Sequence, residues 1–296
     1  MPNLNYASEY SRALANAYPY LSYFGDIWAS ALSTQYKPGN GKTVYIPSMS
    51  VTGARAVNRD SIDGNFQRNY DNNWEPFTLD MDREWDTLAD PMDIQETNMV
   101  ASIANITRTF NETQKVPEMD AYLAAKLAAA ASAAGNADAT VLTKDNILTV
   151  WDGYLAQLTN ARVPRDHVTC KVTPEVYTLL KQAAGITRFI DAGGSGNTVD
   201  RRVGNLDGVN IREVPKDLMM TEYNFAQGWK ATDAAKQINM LLVDVNAVAA
   251  PVKYDTAMTS APTAQSKGKW LYYERYYYGA KVLNNRTAGI IANVAA

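Results

Sequence analysis

Residues suited to chemistry are few and scattered in this chain of 296 residues. Nucleophilic catalysis needs a base beside the nucleophile, and a zinc site needs several nitrogen or sulfur ligands. The chain holds one cysteine, Cys170, and one histidine, His167. That count excludes an intramolecular disulfide, and with it dyads or zinc sites built from several such residues. The segment His167–Val172 alternates like a strand, which places His167 on its polar face and Cys170 with Val168 and Val172 on its apolar face. His167 therefore reads as a surface or hydrogen-bonded structural residue and Cys170 as a small hydrophobe. The run Gly193-Gly194-Ser195-Gly196 lacks the Lys-Ser/Thr ending of a phosphate loop and the strand-to-helix setting of a dinucleotide fingerprint, so it reads as a loop. Two carboxylates can act as an acid–base pair or bind a metal. The pairs Asp80/Asp82 and Glu84/Asp86 nevertheless read most simply as a solvated acidic face. No catalytic, cofactor or metal-binding residue is assigned.

Composition agrees with that sparse equipment. Hydrophobic residues make up 46% and charged residues 20%, ordinary for a folded globular protein. Lys plus Arg number 28 against 31 Asp plus Glu, leaving a net charge of −3. Such a balance gives no strong field for gripping nucleic acid non-specifically. No apolar run reaches the ~18 residues of a membrane span, and the start MPNLNYASEY lacks signal-peptide character. A soluble chain, intracellular when made, is expected. Tyrosines number 18 and phenylalanines 6. Tyr combines an apolar ring with a hydroxyl that seeks a partner, which suits interfaces and half-buried strands.

The elements that would carry these residues follow from periodicity. Residues 1–39 form an arm in which Tyr20, Phe24 and Trp28 share one helical face; it either caps its own core or lies across a neighbouring subunit. Residues 40–90 read as a long β-hairpin, with strands at Thr43–Pro47 (Val44 and Ile46 inward) and Glu75–Asp82 (Phe77, Leu79 and Met81 on one face). The stretch 48–74 carries Gly, Asn and Arg but little large apolar surface, so it is expected to project. Charge reverses along the hairpin: residues 40–70 sum to +2, and residues 71–96 to −8. A basic tip (Arg55, Arg59, Arg68) docking on acidic surface (Asp80, Asp82, Glu84, Asp86) of another copy is the sharper reading of that reversal.

Further on, Asp90 and Pro91 start a helix whose stripe is Met99, Ile103, Ile106 and Phe110. Pro117 is expected to break or kink it and to push Val116 out of helical geometry. An Ala-rich helix then runs to Gly135, suited to close packing on a sheet. Thr143 caps a helix bearing Ile147, Trp151, Tyr154 and Leu158; Thr173 and Pro174 start another, through Ala184. Val209–Val214 and Ile238–Val243 are strands, the second central because it is continuously apolar. Trp270–Val282 is a long Tyr-rich strand. The class is α+β.

This order of elements resembles the major capsid protein of tailed double-stranded DNA phages, the Hong Kong 97 fold. The hairpin entry GKTVYIPS and exit PFTLDMDREWDTLADPMDIQETN resemble that family's extended E-loop leading into its spine helix. VPEMDAYLAAKLA resembles the segment after the spine, and RRVGNLDGVNIREVP the strand-turn-strand of the axial domain. INMLLVDVNAVAAPVKYD with ERYYYGAKVLNNRTAGII resembles the closing strands of the peripheral domain. The resemblance implies an N-terminal arm (1–39), an E-loop hairpin (40–90), spine helix and peripheral domain (91–165), an axial domain (166–250) and return strands of the peripheral domain (251–296).

It further implies a structural protein, not an enzyme, that self-assembles as hexamers and pentamers into an icosahedral shell. The shell forms in the host bacterial cytoplasm, becomes the virion capsid, and has scaffold and portal proteins as partners. It encloses double-stranded DNA without sequence-specific contact and uses no cofactor and no membrane. Arg55, Arg59, Arg68, Trp74, Asp80, Asp82, Glu84 and Asp86 would be inter-subunit contacts. Gly39, Gly41, Gly204 and Gly208 would be turns or hinges, with a further joint near Asp90. Some members of the family lock the shell through a Lys–Asn isopeptide bond. Residues 48–74 contain no Lys here, so no such crosslink is expected. An encapsulin-like compartment shell is the alternative within the same fold. A carbohydrate-binding module using Tyr and Trp as stacking platforms is the alternative outside it.

Overall fold

The computed structural model describes residues 22–34, 36–38, 42–54, 70–96, 103–183 and 203–296. Met99, Tyr20, the 55–69 hairpin tip and the 193–196 glycine run lie outside these. Two single-turn helices open the described chain, α1 (Gly25–Trp28) and α2 (Ala31–Thr34), in place of the one expected amphipathic helix. Phe24 and Ile27 are fully buried with Leu123, Leu127 and Leu241. Residues 22–34 thus cap the chain's own core.

The hairpin consists of β1 (Thr43–Val51) and β2 (Tyr70–Thr78), paired from Thr43↔Thr78 to Val51↔Tyr70. Val44 and Ile46 are buried at its base, as their alternation requires, while its far half is exposed. The expected strand Glu75–Asp82 is interrupted. β2 ends at Thr78, and β3 (Met81–Ala89) begins in a different sheet. Leu79 causes the break by turning into a pocket with Val44 and Tyr277, while its N–H donates to the Lys42 carbonyl at 2.9 Å. Burying that side chain outweighs continuing the ladder.

Asp90 caps α3 (Pro91–Glu96), its Oδ1 accepting the Met92 N–H at 3.0 Å. Next come α4 (Ile103–Phe110), a π-helical turn (Asn111–Lys115) and α5 (Val116–Ala133) in one continuous run. Pro117 therefore does not break the helix. A proline leaves a carbonyl one turn earlier without its donor and crowds it; widening the preceding turn, so that Val116 N–H reaches Asn111 O, absorbs both effects. Val116 keeps helical angles (φ −66°, ψ −46°), contrary to expectation.

Downstream lie α6 (Ile147–Asn160), β4 (Val168–Val172), α7 (Pro174–Gln182), β5 (Val209–Glu213), β6 (Ile238–Asp244), β7 (Val252–Ser260), β8 (Trp270–Tyr278) and β9 (Ile290–Val294). Thr143 and Asn146 exchange side-chain-to-backbone hydrogen bonds in the turn ahead of α6, whose N-cap position is Asn146 rather than the expected Thr143. Thr173 takes the N-cap position of α7, yet its hydroxyl is buried without a partner, and the described helix closes at Gln182 rather than Ala184.

One sheet has six strands in the order Ala137–Asp138, β9, β6, β4, β5, Asn205–Leu206. Leu241 and Val243 face α5 on one side, while Met240 and Leu242 face α6 and α7 on the other. Both faces are covered, which explains the continuous apolar run of β6. Strand β9 pairs antiparallel with β6. The other body sheet is β7-β8-β3, antiparallel throughout. The long Tyr-rich strand stops at Tyr278, and Lys281–Val282 pairs separately with Val248–Ala249. Helix α5 holds the two sheets together: Leu123 and Leu127 lie on the six-stranded one, Met119 and Tyr122 on β8. Ala121, Ala124, Ala128 and Ala131 are buried and allow that close approach.

Candidate functional site

His167 lies in a 3-10 turn, Arg165–His167, just before β4 rather than on the strand, and is exposed. Cys170 is fully buried, and burial pushes its thiol well above the ordinary value. Among the described residues, no group of three or more His, Cys, Asp or Glu is placed to hold a metal ion. Nor is any described helix long and apolar enough to cross a membrane.

The two faces of β7-β8-β3 differ sharply, because side chains alternate along β8. Tyr272, Glu274, Tyr276 and Tyr278 point inward toward the long helix. There Lys115 Nζ meets Glu274 Oε1 at 2.8 Å, with both side chains at 0% exposure, and lies 3.9 Å from the Tyr276 ring centre. Tyr272 OH donates to Glu274 Oε2 at 2.7 Å. Arg83 bridges Glu118 at 2.7 Å, and Tyr278 OH donates to the same carboxylate at 2.8 Å. Burial lowers the Lys115 ammonium, which the facing carboxylate opposes.

The outward face carries most of the acidic residues singled out from sequence. Asp82 accepts from Arg275 at 2.9 and 3.1 Å and pairs with Lys42 at 2.7 Å, and these cations hold its carboxyl down to about 2. Asp80, in the link between β2 and β3, pairs with Lys126 at 2.5 Å and accepts from Tyr122 OH. Both are thus engaged within the chain. Glu84 accepts from Tyr273 OH at 3.2 Å, and Glu84 and Asp86 stay exposed. Arg55, Arg59 and Arg68, with Gly39 and Gly41, lie outside the described residues. Gly208 sits at φ +87° in the turn before β5, next to Asp207 at φ +52°, which Trp151 Nε1 steadies at 3.0 Å. Gly204 does not need a left-handed backbone; its carbonyl accepts the Ile211 N–H at 2.9 Å.

Among the described residues, most exposed large apolar side chains gather in two places, with Met92 and Val141 exposed elsewhere. Met49, Val51, Tyr70 and Trp74 line the far half of the hairpin, Trp74 lying under Lys37 Nζ at 5.6 Å. Leu88 and Leu271 form a cross-strand pair on the outward sheet face, with Met258 one strand over. The first group falls in the stretch expected to hold little large apolar surface, and the second was missed as well. Its signal was Trp270, Leu271 and Tyr272 in succession: a strand with apolar residues on both faces must expose one of them unless a further layer covers it.

This arrangement is an α+β body, helix-braced on two sheets, with an exposed hairpin. No protein-family model matches the chain, and no curated protein matches it. Solved structures do. The capsid structure of cyanophage P-SCSP1u matches with TM-score 0.62 and 16% identity over 90% of this chain and 86% of that one. The mature capsid asymmetric unit of bacteriophage PhiM1 gives 0.57 and 14% over 94% and 88%. Mycobacterium phage Che8 gives 0.53 and 19% over 86% and 85%. The chain has the fold of these phage structures across nearly its whole length.

Proposed function

We propose that the chain is a major capsid protein of the Hong Kong 97 type, assembling as hexamers and pentamers into the icosahedral shell of a tailed phage around double-stranded DNA. The observation that carries this reading is the pair of separate exposed apolar patches on a chain with the phage-capsid fold. One lies on a projecting hairpin and the other on the body sheet. A monomer seldom leaves such patches uncovered without a partner. Strands β1 and β2 serve as E-loop, α4 as part of the spine helix, and β7-β8-β3 as the peripheral sheet. The six-stranded sheet, completed by β9, serves as the axial domain. Residues 1–21 continue the arm. The hairpin of one copy lies on a neighbour's outward sheet face, with Arg55, Arg59 and Arg68 near exposed Glu84 and Asp86. Scaffold and portal proteins are the partners, and the virion capsid, built in bacterial cytoplasm, is the location. The reading asks no catalysis of the chain.

Expression with and without a scaffold partner, followed by negative-stain microscopy, tests this. Icosahedral particles are expected. Met49→Ser with Val51→Ser should cut particle yield about tenfold while leaving the far-ultraviolet spectrum unchanged, since each exposed side chain contributes of order 1 kcal/mol per contact and every copy carries the change. Arg59→Glu with Arg68→Glu is expected to act in the same direction. A chain that stays monomeric at high concentration in every condition overturns the reading. Particles that enclose protein cargo and never DNA would point to a compartment shell instead.

A further inference from the structure

Among the described residues, the hairpin base packs on the body through a small apolar joint. Val44 and Leu79 from its base and Tyr277 from β8 form a cluster of three buried residues, flanked by Tyr36 and Phe77 and separate from the large clusters on the six-stranded sheet. Gly279 presses directly on this joint. A Cβ there would lie 2.9 Å from Phe77 Cζ and 3.2 Å from Leu79 Cα, so only glycine fits without displacing the hairpin base. Around the joint, three ionic contacts cross from hairpin to body: Glu75 to Lys281 at 2.8 Å, Lys42 to Asp82 at 2.7 Å, and Asp80 to Lys126 at 2.5 Å. Asn284 Nδ2 adds to the first at 3.3 Å, and Tyr122 OH to the third. All six charged side chains are between 23% and 44% exposed, so water and salt reach them.

We propose that the hairpin is an arm whose angle to the body is set by these three ionic contacts, so that ionic strength decides how stiffly it is held. The packed apolar part is too small to fix the angle alone. The screening length falls from about 10 Å at 0.1 M salt to about 3 Å at 1 M, which weakens half-exposed pairs and leaves apolar packing in place. The pivot is then the link into β3, after Asp80. This inference stands whether or not the chain builds a shell.

The test places spin labels at Ser50→Cys on the hairpin and Ala133→Cys on α5, both exposed, while Cys170 is buried away from reagent. Labelled protein is diluted into unlabelled protein so that only distances within one chain are read. At about 50 mM NaCl a narrow distance distribution is expected, and at about 1 M its width should grow about twofold. The variant Lys42→Met, Glu75→Gln, Asp80→Asn should be broad at both salts. Gly279→Ala, which alters no charge, should shift the mean distance and keep the salt response. A distribution equally narrow at both salts overturns the proposal, as does a folded triple variant that remains narrow at low salt. Should the triple variant fail to fold, the salt titration of the otherwise unaltered chain decides alone.

Discussion

Lys115 and Glu274 meet where no water reaches either of them. Removing one partner leaves the other uncompensated: Lys115→Met should cost about 3–5 kcal/mol in urea unfolding, and adding Glu274→Leu should recover much of it. Asp120 tells a second story. It is buried and accepts from Ser22 Oγ at 2.5 Å, Tyr23 N–H at 2.6 Å and Trp28 Nε1–H at 3.3 Å, pinning α1 to the long helix. Burial raises its carboxyl from 3.8 to about 6. The folded chain therefore holds that proton more tightly than the unfolded one, and stability declines as pH rises from about 4 to about 6. The drop amounts to about 3 kcal/mol, flat above that window, and Asp120→Asn should abolish this part of the slope. Asp82 works in the opposite sense; its depressed carboxyl contributes above pH 3.8 and is lost toward pH 2. None of these partnerships was legible in sequence. Lys115 and Glu274 lie 159 positions apart, and no periodicity reports a pairing across that distance. The lone cysteine was legible, because its apolar neighbours at 168 and 172 fixed its side of the strand.

Elements were easier to read than partners, because helix and strand periods are local. The first hairpin strand, the Ala-rich helix, the cap at Asp90 and the central place of β6 all stand where the pattern put them. Two failures share one cause. Phe77, Leu79 and Met81 keep alternating straight through the end of β2, and the residues around Pro117 stay helical, so the local signal did not report a tertiary demand. At Leu79 that demand is a pocket on β8. At Lys115 it is a carboxylate across the sheet, 2.8 Å from its Nζ. Helix α6 shows how elements fasten one another. Trp151 is fully buried and its ring N–H holds Asp207 in the turn before β5. Trp151→Ala should cost about 3–5 kcal/mol in denaturant unfolding and speed amide exchange at Gly208 and Val209, well away from the mutated helix.

At the scale of the molecule, two apolar patches lie on different surfaces, the hairpin and the body sheet, and under the proposed function they would set the geometry of association. Contact between unlike patches joins copies head to tail, giving a ring where the rotation closes and an open filament where it does not. A near-neutral chain with opposite charge along one hairpin should associate faster at low salt than at high, a trend that light scattering during assembly would check. The sequence held half of this picture: the hairpin's charge reversal was visible, and the apolar pair Leu88 and Leu271, on strands 183 positions apart, was not. Strand β9 carries one more consequence. It lies between β6 and Ala137–Asp138, with segments made far earlier on either side. During synthesis the body must wait, with the edge of β6 bare and apolar, until the ribosome has delivered residue 294. A nascent chain halted at residue 289 should therefore aggregate or stay bound to chaperones, and supplying the missing strand as a separate peptide should restore solubility.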